Sequence, residues 1–596
     1  MTRRLLVVAA CFFACAPAAL AATTGASVPE FDGQGRLVET PFAPPVTAAH
    51  LTKAKVYATV LRNPKVAAWL DRYPTTDRAH EETYDGKTVS WTVKIWQGKA
   101  GEIVEATVDD ASGVVTAAWT GPQVAWKMGR GSPGAFGGVK INNPWLWGAL
   151  CVVFFLGLAD LRRPLSLRNL DLVMLLSPTA SLWFFNHGDV FTAVPLFYPA
   201  LVWVIARGIQ IGFTGRGSPS RPLWPTWVLL AATVFLAGFR IGLNVEASNV
   251  IDVGYSGVIG AERIAHARAP WGNFPIEGDL KACGPADAAG EIRERIQTNG
   301  RCESANPQGD TYGPVAYESY LPGYALFGWS GKWDTLPAAH FTSIAFDLLC
   351  MLGLWLVGRR FGGLQLAAVL AFAWAAYPFT QYASNSNTND ALLPAFLIWG
   401  FWLVSSPVSR GALAALSGLT KFASLVVAPL WLTYPDGKPS RRFAAGFALA
   451  TLAAFSVVLF EPSPLHELRV FWDRSLRWQV GRHAPWSLWD WRQYHARGIP
   501  DLHIVQHVLQ ALLVAGAFVV AVVPRHKSPL QLAALTAALI AGFQLVLTYW
   551  LYTYIPWFFG FAAIALFAPL AVVVREPEPV LELDPQELDT ARPAVV

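Results

Sequence analysis

From about residue 144 to 574 the chain is a succession of apolar runs, most near the ~20 residues needed to cross a bilayer core, parted by arginine-bearing loops. Helices apolar on every side lie in lipid or deep inside a large core. The whole chain of 596 residues is 53% hydrophobic and 15% charged, whereas soluble domains carry roughly 25% charged residues. The fold expected is a polytopic all-alpha membrane protein of about 11–12 spans, one of them re-entrant, with a small extracytoplasmic alpha+beta domain. The net charge of +5 is small for this length, and most arginines flank the apolar runs. That placement fits membrane topology and excludes nucleic acid as an expected partner. Membrane lipids are an expected partner, and the 26 tryptophans gather near span ends, as interfacial rings do.

Residues 1–21 read as a signal peptide: Arg3 and Arg4, an apolar stretch, then Ala19-Leu20-Ala21. Residues 22–128 form the expected extracytoplasmic domain. A helical pattern runs from Ala48 to Tyr73, restarted at Asn63-Pro64, a cap followed by a first-turn proline. Val89, Trp91, Val93 and Ile95 alternate as a strand does, a second strand covers Ile103–Val108, and Asp109–Gly113 turns into Val114–Ala118. Residues 129–143 are a Gly-rich linker, 144–223 three appended helices, 224–575 the main module, and 576–596 an acidic tail expected to be disordered and cytoplasmic. Cys283 and Cys302 share one outer loop, where a disulfide is plausible in an oxidising compartment.

Positive-inside threading sets the topology. Arg162, Arg163 and Arg168, then Arg207, Arg216 and Arg221, then Arg359 and Arg360 fall inside. Loops 244–337 and 462–503 fall outside. Arg410 and the Lys438–Arg442 cluster both want the inner side, so 411–434 is expected to be a broken hairpin returning to it, with Lys421 near its middle.

The stretch "VDDASGVVTAAWTG" (108–121) resembles a PepSY-like domain. The outer loop opens on Asp252 and an interfacial helix ending at Arg268-Ala269-Pro270-Trp271. With "TYGPVAYESYLPGY" (311–324), "NSNTNDALLPAF" (385–396), "LSGLTKFASLVVAPL" (416–430) and "YTYIPWFFGF" (552–561), it resembles GT-C glycosyltransferases, most closely the polyprenyl-phosphate-sugar-dependent, alpha-mannosyltransferase-like family eighty-seven. The resemblance spans about 224–575 and implies transfer of a mannose-like sugar from a polyprenyl-phosphate-sugar donor to a glycan, lipid or protein acceptor, with inversion at C1. It places the enzyme in the inner (plasma) membrane with its active site outside; no motif in the sequence supports a cofactor, a metal or a nucleotide-sugar donor.

The expected chemistry distributes as follows. Asp252 is the candidate catalytic base by this resemblance; its bland alternative is a helix cap. Lys421, an intramembrane charge, is a candidate donor-phosphate contact rather than a snorkelling side chain. Asn389 and Asp390 are candidates for sugar hydroxyls, and Tyr312, Asp310 and Glu318 for the acceptor side. Arg477, Arg482 and His483 lie on an outer segment unusually rich in arginine, which points to phosphate recognition by guanidinium forks. The family's Gln-Arg-Ser-Trp element matches Gln479, Arg482, Trp486, Ser487 and Trp489 without clean spacing. There is no Walker loop, dinucleotide fingerprint or zinc spacing. A transporter or lipid flippase would instead show internal repeats and charges strung along a path, and a PepSY-domain sensor or assembly protein would leave the Asp252 and Arg482 regions without purpose.

Overall fold

The computed structural model describes residues 48–86, 88–98, 101–124, 136–186, 190–217, 224–272, 294–296, 302–304, 309–329, 336–480, 486–491 and 500–568. The signal segment, the tail, Cys283 and the side chain of Cys302 lie outside them, and with them the expected disulfide.

Helices Lys53–Arg62 and Pro64–Leu70 meet at Asn63, whose side chain accepts from Lys65 N and Val66 N. This is the capped proline restart that the sequence signals. Four antiparallel strands follow: β1 (Arg78–Asp85), β2 (Ser90–Gln97), β3 (Gly101–Asp109) and β4 (Val115–Thr120), in that spatial order. Trp91, Val93 and Ile95 of β2 and Val104, Ala106 and Val108 of β3 bury one sheet face beneath Val56 and Val60. Each such valine contributes roughly 1.5–3 kcal/mol of apolar burial. Asp110 fastens the chain entry to the sheet, accepting from His50 N, Leu51 N and Trp91 Nε1 at 2.7–2.9 Å. Strand β1 is not announced by its sequence. Its sequence RAHEETYD has no apolar alternation, and it lies at the sheet edge, where only one neighbour constrains it.

Among the described residues, five helices are long and apolar enough to cross a membrane: Thr192–Thr214, Thr226–Ala247, Pro337–Ala376, Arg441–Phe460 and His503–Val522. Shorter apolar helices include Pro144–Leu158, Phe422–Thr433, Pro529–Leu545 and Tyr552–Phe567. Together with the small sheet this architecture is compatible with a polytopic membrane protein carrying a small domain. Val234 and Phe235 are 73% and 72% exposed on the outside of their helix, which suits a lipid-facing surface better than a watery one.

The 40-residue helix is two helices. Gly363 has φ 71° and ψ −162°, a conformation open to glycine alone. Trp374 Nε1 donates to Asp347 Oδ1 at 2.8 Å, yet a straight helix would hold residues 27 apart at roughly 40 Å. The chain therefore doubles back, as the separate runs at 338–358 and 363–383 predict. Arg240 clasps the hairpin, donating to both Asp347 oxygens at 2.5 and 2.9 Å and to Ala375 O and Thr380 Oγ1 at 3.3 Å. A second buried pair joins Arg207 to Asp171, at 2.8 and 3.1 Å.

Several expected continuous spans are broken. Residues 169–186 divide at Ser177-Pro178 into Leu167–Leu176 and Pro178–Asn186, because a proline lacks the N–H that would continue the ladder. The run 388–405 begins with a 3₁₀ turn at Asn389–Ala391 before helix Leu392–Trp402. Apolar length alone thus overstates the number of straight crossings. The broken hairpin expected at 411–434 is present: helix Pro407–Gly418 stops, Lys421 is extended, and Phe422–Val427 then Ala428–Thr433 carry the chain back. Arg410 ties its two ends, donating to Trp431 O at 3.1 Å and Tyr434 O at 2.8 Å. The described part of the glycine linker is packed: Phe136 and Ile141 are buried, and Asn142 Nδ2 donates to Phe136 O and Gly138 O.

Candidate functional site

The run Asn385–Asp390 comprises six successive polar residues, each at most 1% exposed. Buried polar groups are costly unless hydrogen-bonded, so their partners define what this segment is for. Asn387 has φ 49°, a left-handed conformation that asparagine tolerates. Its side chain donates to Ser248 Oγ and Asn249 O at 2.9 Å and accepts from Asn244 Nδ2 at 3.0 Å. His340 Nδ1 lies 2.9 Å from Asn244 Oδ1 and 3.3 Å from Ser248 Oγ, closing a polar layer. Backbone bonds complete the seam: Asn249 N to Asn385 O and Ile251 N to Ser386 O, both 3.3 Å.

That seam delivers Asp252. It is the first residue of helix Asp252–Ala265, whose cap position is Ile251 and which has no side-chain cap hydrogen bond. Asp252 therefore stands one residue inside the cap position, where a carboxylate also suits the first turn of a helix. Gly254 allows the close approach: a Cβ there would sit 2.3 Å from Asn387 O. Asn389 Oδ1, two residues further along, is buried and has no hydrogen-bond partner among the described residues.

Asp390 leads on to Lys421. Lys421 Nζ donates to Asp390 Oδ1, which also accepts from Trp557 Nε1 at 2.9 Å. The ammonium lies 5.0–5.5 Å from the ring centres of Tyr312, Tyr554 and Trp557. Three aromatic faces and one carboxylate stabilise a cation that the apolar surroundings would otherwise penalise. The break in the hairpin positions it, since Lys421 is the extended residue between two helical segments. Gly313 docks the Tyr-Gly-Pro loop here, its Cβ position only 2.0 Å from Leu419 O.

The segments that carry Trp271, Asp310 and Arg474 fasten to the same place. Trp271 Nε1 donates to Tyr312 O at 3.0 Å, and Gly272 N donates to Asp310 Oδ2 at 2.9 Å. Arg474 donates to both Asp310 oxygens at 2.8 and 2.6 Å, from a π-helical turn at Trp472–Arg477. Such turns often accompany functional sites. The carboxylate of Asp310 raises the Arg474 pKa above its ordinary value, so this guanidinium stays charged. Arg477, three residues on, points outward with its side chain 78% exposed and pairs with Asp473 at 3.4 Å. Helix Pro314–Glu318 lies on the Asp252 helix, with Tyr317 over Gly260 and Tyr320 over Gly257. Burial lifts the Glu318 carboxyl to about 7.

The structure thus gathers Asn389, Asp390, Lys421 and Tyr312, sets Asp252 on the adjoining seam, and leaves Arg477 outside. Arg482 and His483 lie outside the described residues. Trp486, Ser487 and Trp489 pack elsewhere, with Trp486 against Phe185 and Trp489 Nε1 donating to Leu545 O at 2.9 Å. Sequence reasoning passed over His340, Arg474, Tyr554 and Trp557. The last two stand inside the quoted "YTYIPWFFGF" motif, but nothing in a lone apolar run distinguishes a caging ring from a packing one. Among the described residues no cluster of His, Cys, Asp and Glu suits a metal ion. Searches of protein-family models, curated proteins and solved structures return no match to this chain.

Proposed function

We propose that this chain is a membrane glycosyltransferase that moves a mannose-like sugar from polyprenyl phosphate to a glycan, lipid or protein acceptor at the outer face of a bacterial-type inner membrane. The observation that carries this reading is a carboxylate, Asp252, at the start of a helix that packs on a buried polar wall, the wall ending in an aromatic-caged lysine. Aromatic faces, amide groups and one cation suit a sugar phosphate.

In this reading Asp252 takes the proton from an acceptor hydroxyl, whose oxygen attacks C1 of the donor sugar. The bond from C1 to the phosphate oxygen breaks, and polyprenyl phosphate leaves with the electron pair. Lys421 stabilises the charge growing on that phosphate. Asn389 supplies the acceptor oxygen that a sugar hydroxyl donates to. The mechanism asks for inversion at C1 and for no cofactor.

The test reconstitutes native protein and Asp252→Asn in lipid with labelled polyprenyl-phosphate sugars and a membrane extract. Transfer that falls at least ~100-fold in the folded variant supports the base assignment. Full activity in Asp252→Asn moves the base elsewhere. Absence of transfer from every donor by native protein removes the enzyme reading, and transport becomes the function to assay.

A further inference from the structure

Far from Asp252, the turn between helices Pro144–Leu158 and Leu167–Leu176 encloses a second polar feature. Asn143, at the start of the first helix, belongs to the segment that packs beside Ser248 and Tyr382. The helix has 15 residues, so its far end lies roughly 22 Å away. There a cavity of about 710 Å³ opens, lined among others by Asp160, Arg163, Leu165, Arg168, Arg207 and Arg216.

The cavity is built, not incidental. Buried Asn169 holds the turn, accepting from Asp160 N at 2.8 Å and donating to the carbonyls of Asp160, Arg163 and Pro164 at 2.9–3.2 Å. Arg168 donates to Leu158 O, and Arg207 is fixed by Asp171 and by Gln210. Arg168 and Arg207 are 3% and 5% exposed, so two guanidinium groups are held at the cavity wall out of bulk water. Arg163 and Arg216 are exposed at its edge, and neither side chain has a hydrogen-bond or ion-pair partner among the described residues. Four lining arginines stand against one lining carboxylate, Asp160, while Asp171 behind the wall pairs with Arg207. Leu165, also in the lining, is fully exposed.

We propose that this cavity binds the phosphate of an anionic lipid headgroup, with the acyl chains leaving past Leu165. Guanidinium forks match phosphate oxygens in geometry and charge. Basic pockets between membrane helices recognise lipid headgroups through the same forces. The exposed apolar rim selects a lipid over a free anion, because a soluble phosphate gains nothing from it. This site is independent of the sugar-transfer reading and stands if that reading fails.

The test uses full-length protein in nanodiscs of phosphatidylcholine with increasing phosphatidylglycerol, read as thermal stability and as binding of a labelled phosphatidylglycerol. The variant Arg163→Ala/Arg216→Ala removes two exposed cations whose side chains make no hydrogen bond or ion pair among the described residues. Arg162→Ala/Arg442→Ala removes the same charge from exposed positions outside the lining. The proposal expects native protein to be protected and the first variant to need roughly tenfold more anionic lipid, while the control behaves as native. Equal protection by millimolar inorganic phosphate, lost in the same variant, keeps the phosphate site but assigns it to a soluble ligand. Indistinguishable titrations for the two variants, or no response by native protein to either probe, overturn it.

Discussion

Arg474 and Asp310 face each other fork to fork, at 2.6 and 2.8 Å, with Asp310 wholly buried. The pair pins the segment around Arg474 to the loop that carries Asp310, beside Tyr312. Arg474→Ala strands a buried carboxylate and is expected to cost about 3 kcal/mol. Arg477→Ala, on a mostly exposed pair, is expected to cost under about 1 kcal/mol. Thermal unfolding of the two variants separates them; equal melting temperatures would contradict the assignment of Arg474 as the loop's anchor.

Lys421→Met leaves Asp390 charged among aromatic rings and is expected to lower stability by about 3 kcal/mol. Lys421→Met/Asp390→Asn removes both charges while keeping an acceptor for Trp557 Nε1. It is expected to recover most of that stability yet remain inactive in sugar transfer. Recovery of activity together with stability would make the lysine structural only.

Glu318 has a folded pKa of about 7 against an ordinary 4.5, because burial disfavours its charged form. The folded state therefore binds more protons than the unfolded state between about pH 4.5 and 7, and stability falls as pH rises through that window. The loss is at most about 3 kcal/mol, at 1.4 kcal/mol per pH unit. Glu318→Gln is expected to flatten the slope of stability against pH there. An unchanged slope in the variant would place the proton on another group.

Gly313→Ala puts a methyl group 2.0 Å from Leu419 O, which the backbone must yield to accommodate. The cost is expected at roughly 1–3 kcal/mol. Because the shift moves Tyr312 from Lys421, transfer is expected to fall at least ~10-fold through kcat rather than through folding alone. Native-like kcat in a folded Gly313→Ala protein would show that the loop position is immaterial.

What could be read in the sequence follows from how local each signal is. The Asn63-Pro64 restart and the β2 alternation are encoded within a few residues, and both are found. The break around Lys421 was legible from the flanking charges Arg410 and Lys438–Arg442 rather than from a local signal, and it too is found. The β1 strand is polar and gains its structure from a partner strand, so no periodicity announces it. The interruption at Ser177-Pro178 was hidden because apolar composition continues across it. At the site, the charged members Asp252, Asp390 and Lys421 were legible because charge beside apolar sequence is rare. Arg474 and Arg477 were not separable by type, since only the π-helical turn decides which of them faces inward. His340 belongs to the polar layer through contacts to Asn244 and Ser248, 96 and 92 residues away in sequence, and no spacing rule reaches that far.

The clasp between Arg240 and Asp347 also has a history in time. The two residues are separated by 107 positions, so at ~5–20 residues per second the ribosome finishes Arg240 roughly 5–20 seconds before its counter-charge exists. During that interval the helix Thr226–Ala247 carries an arginine for which a bilayer offers no comfort. A hydrated or proteinaceous shelter for this helix until Asp347 has been made removes that cost, so the timing of the later segment bears on how the earlier helix is stored.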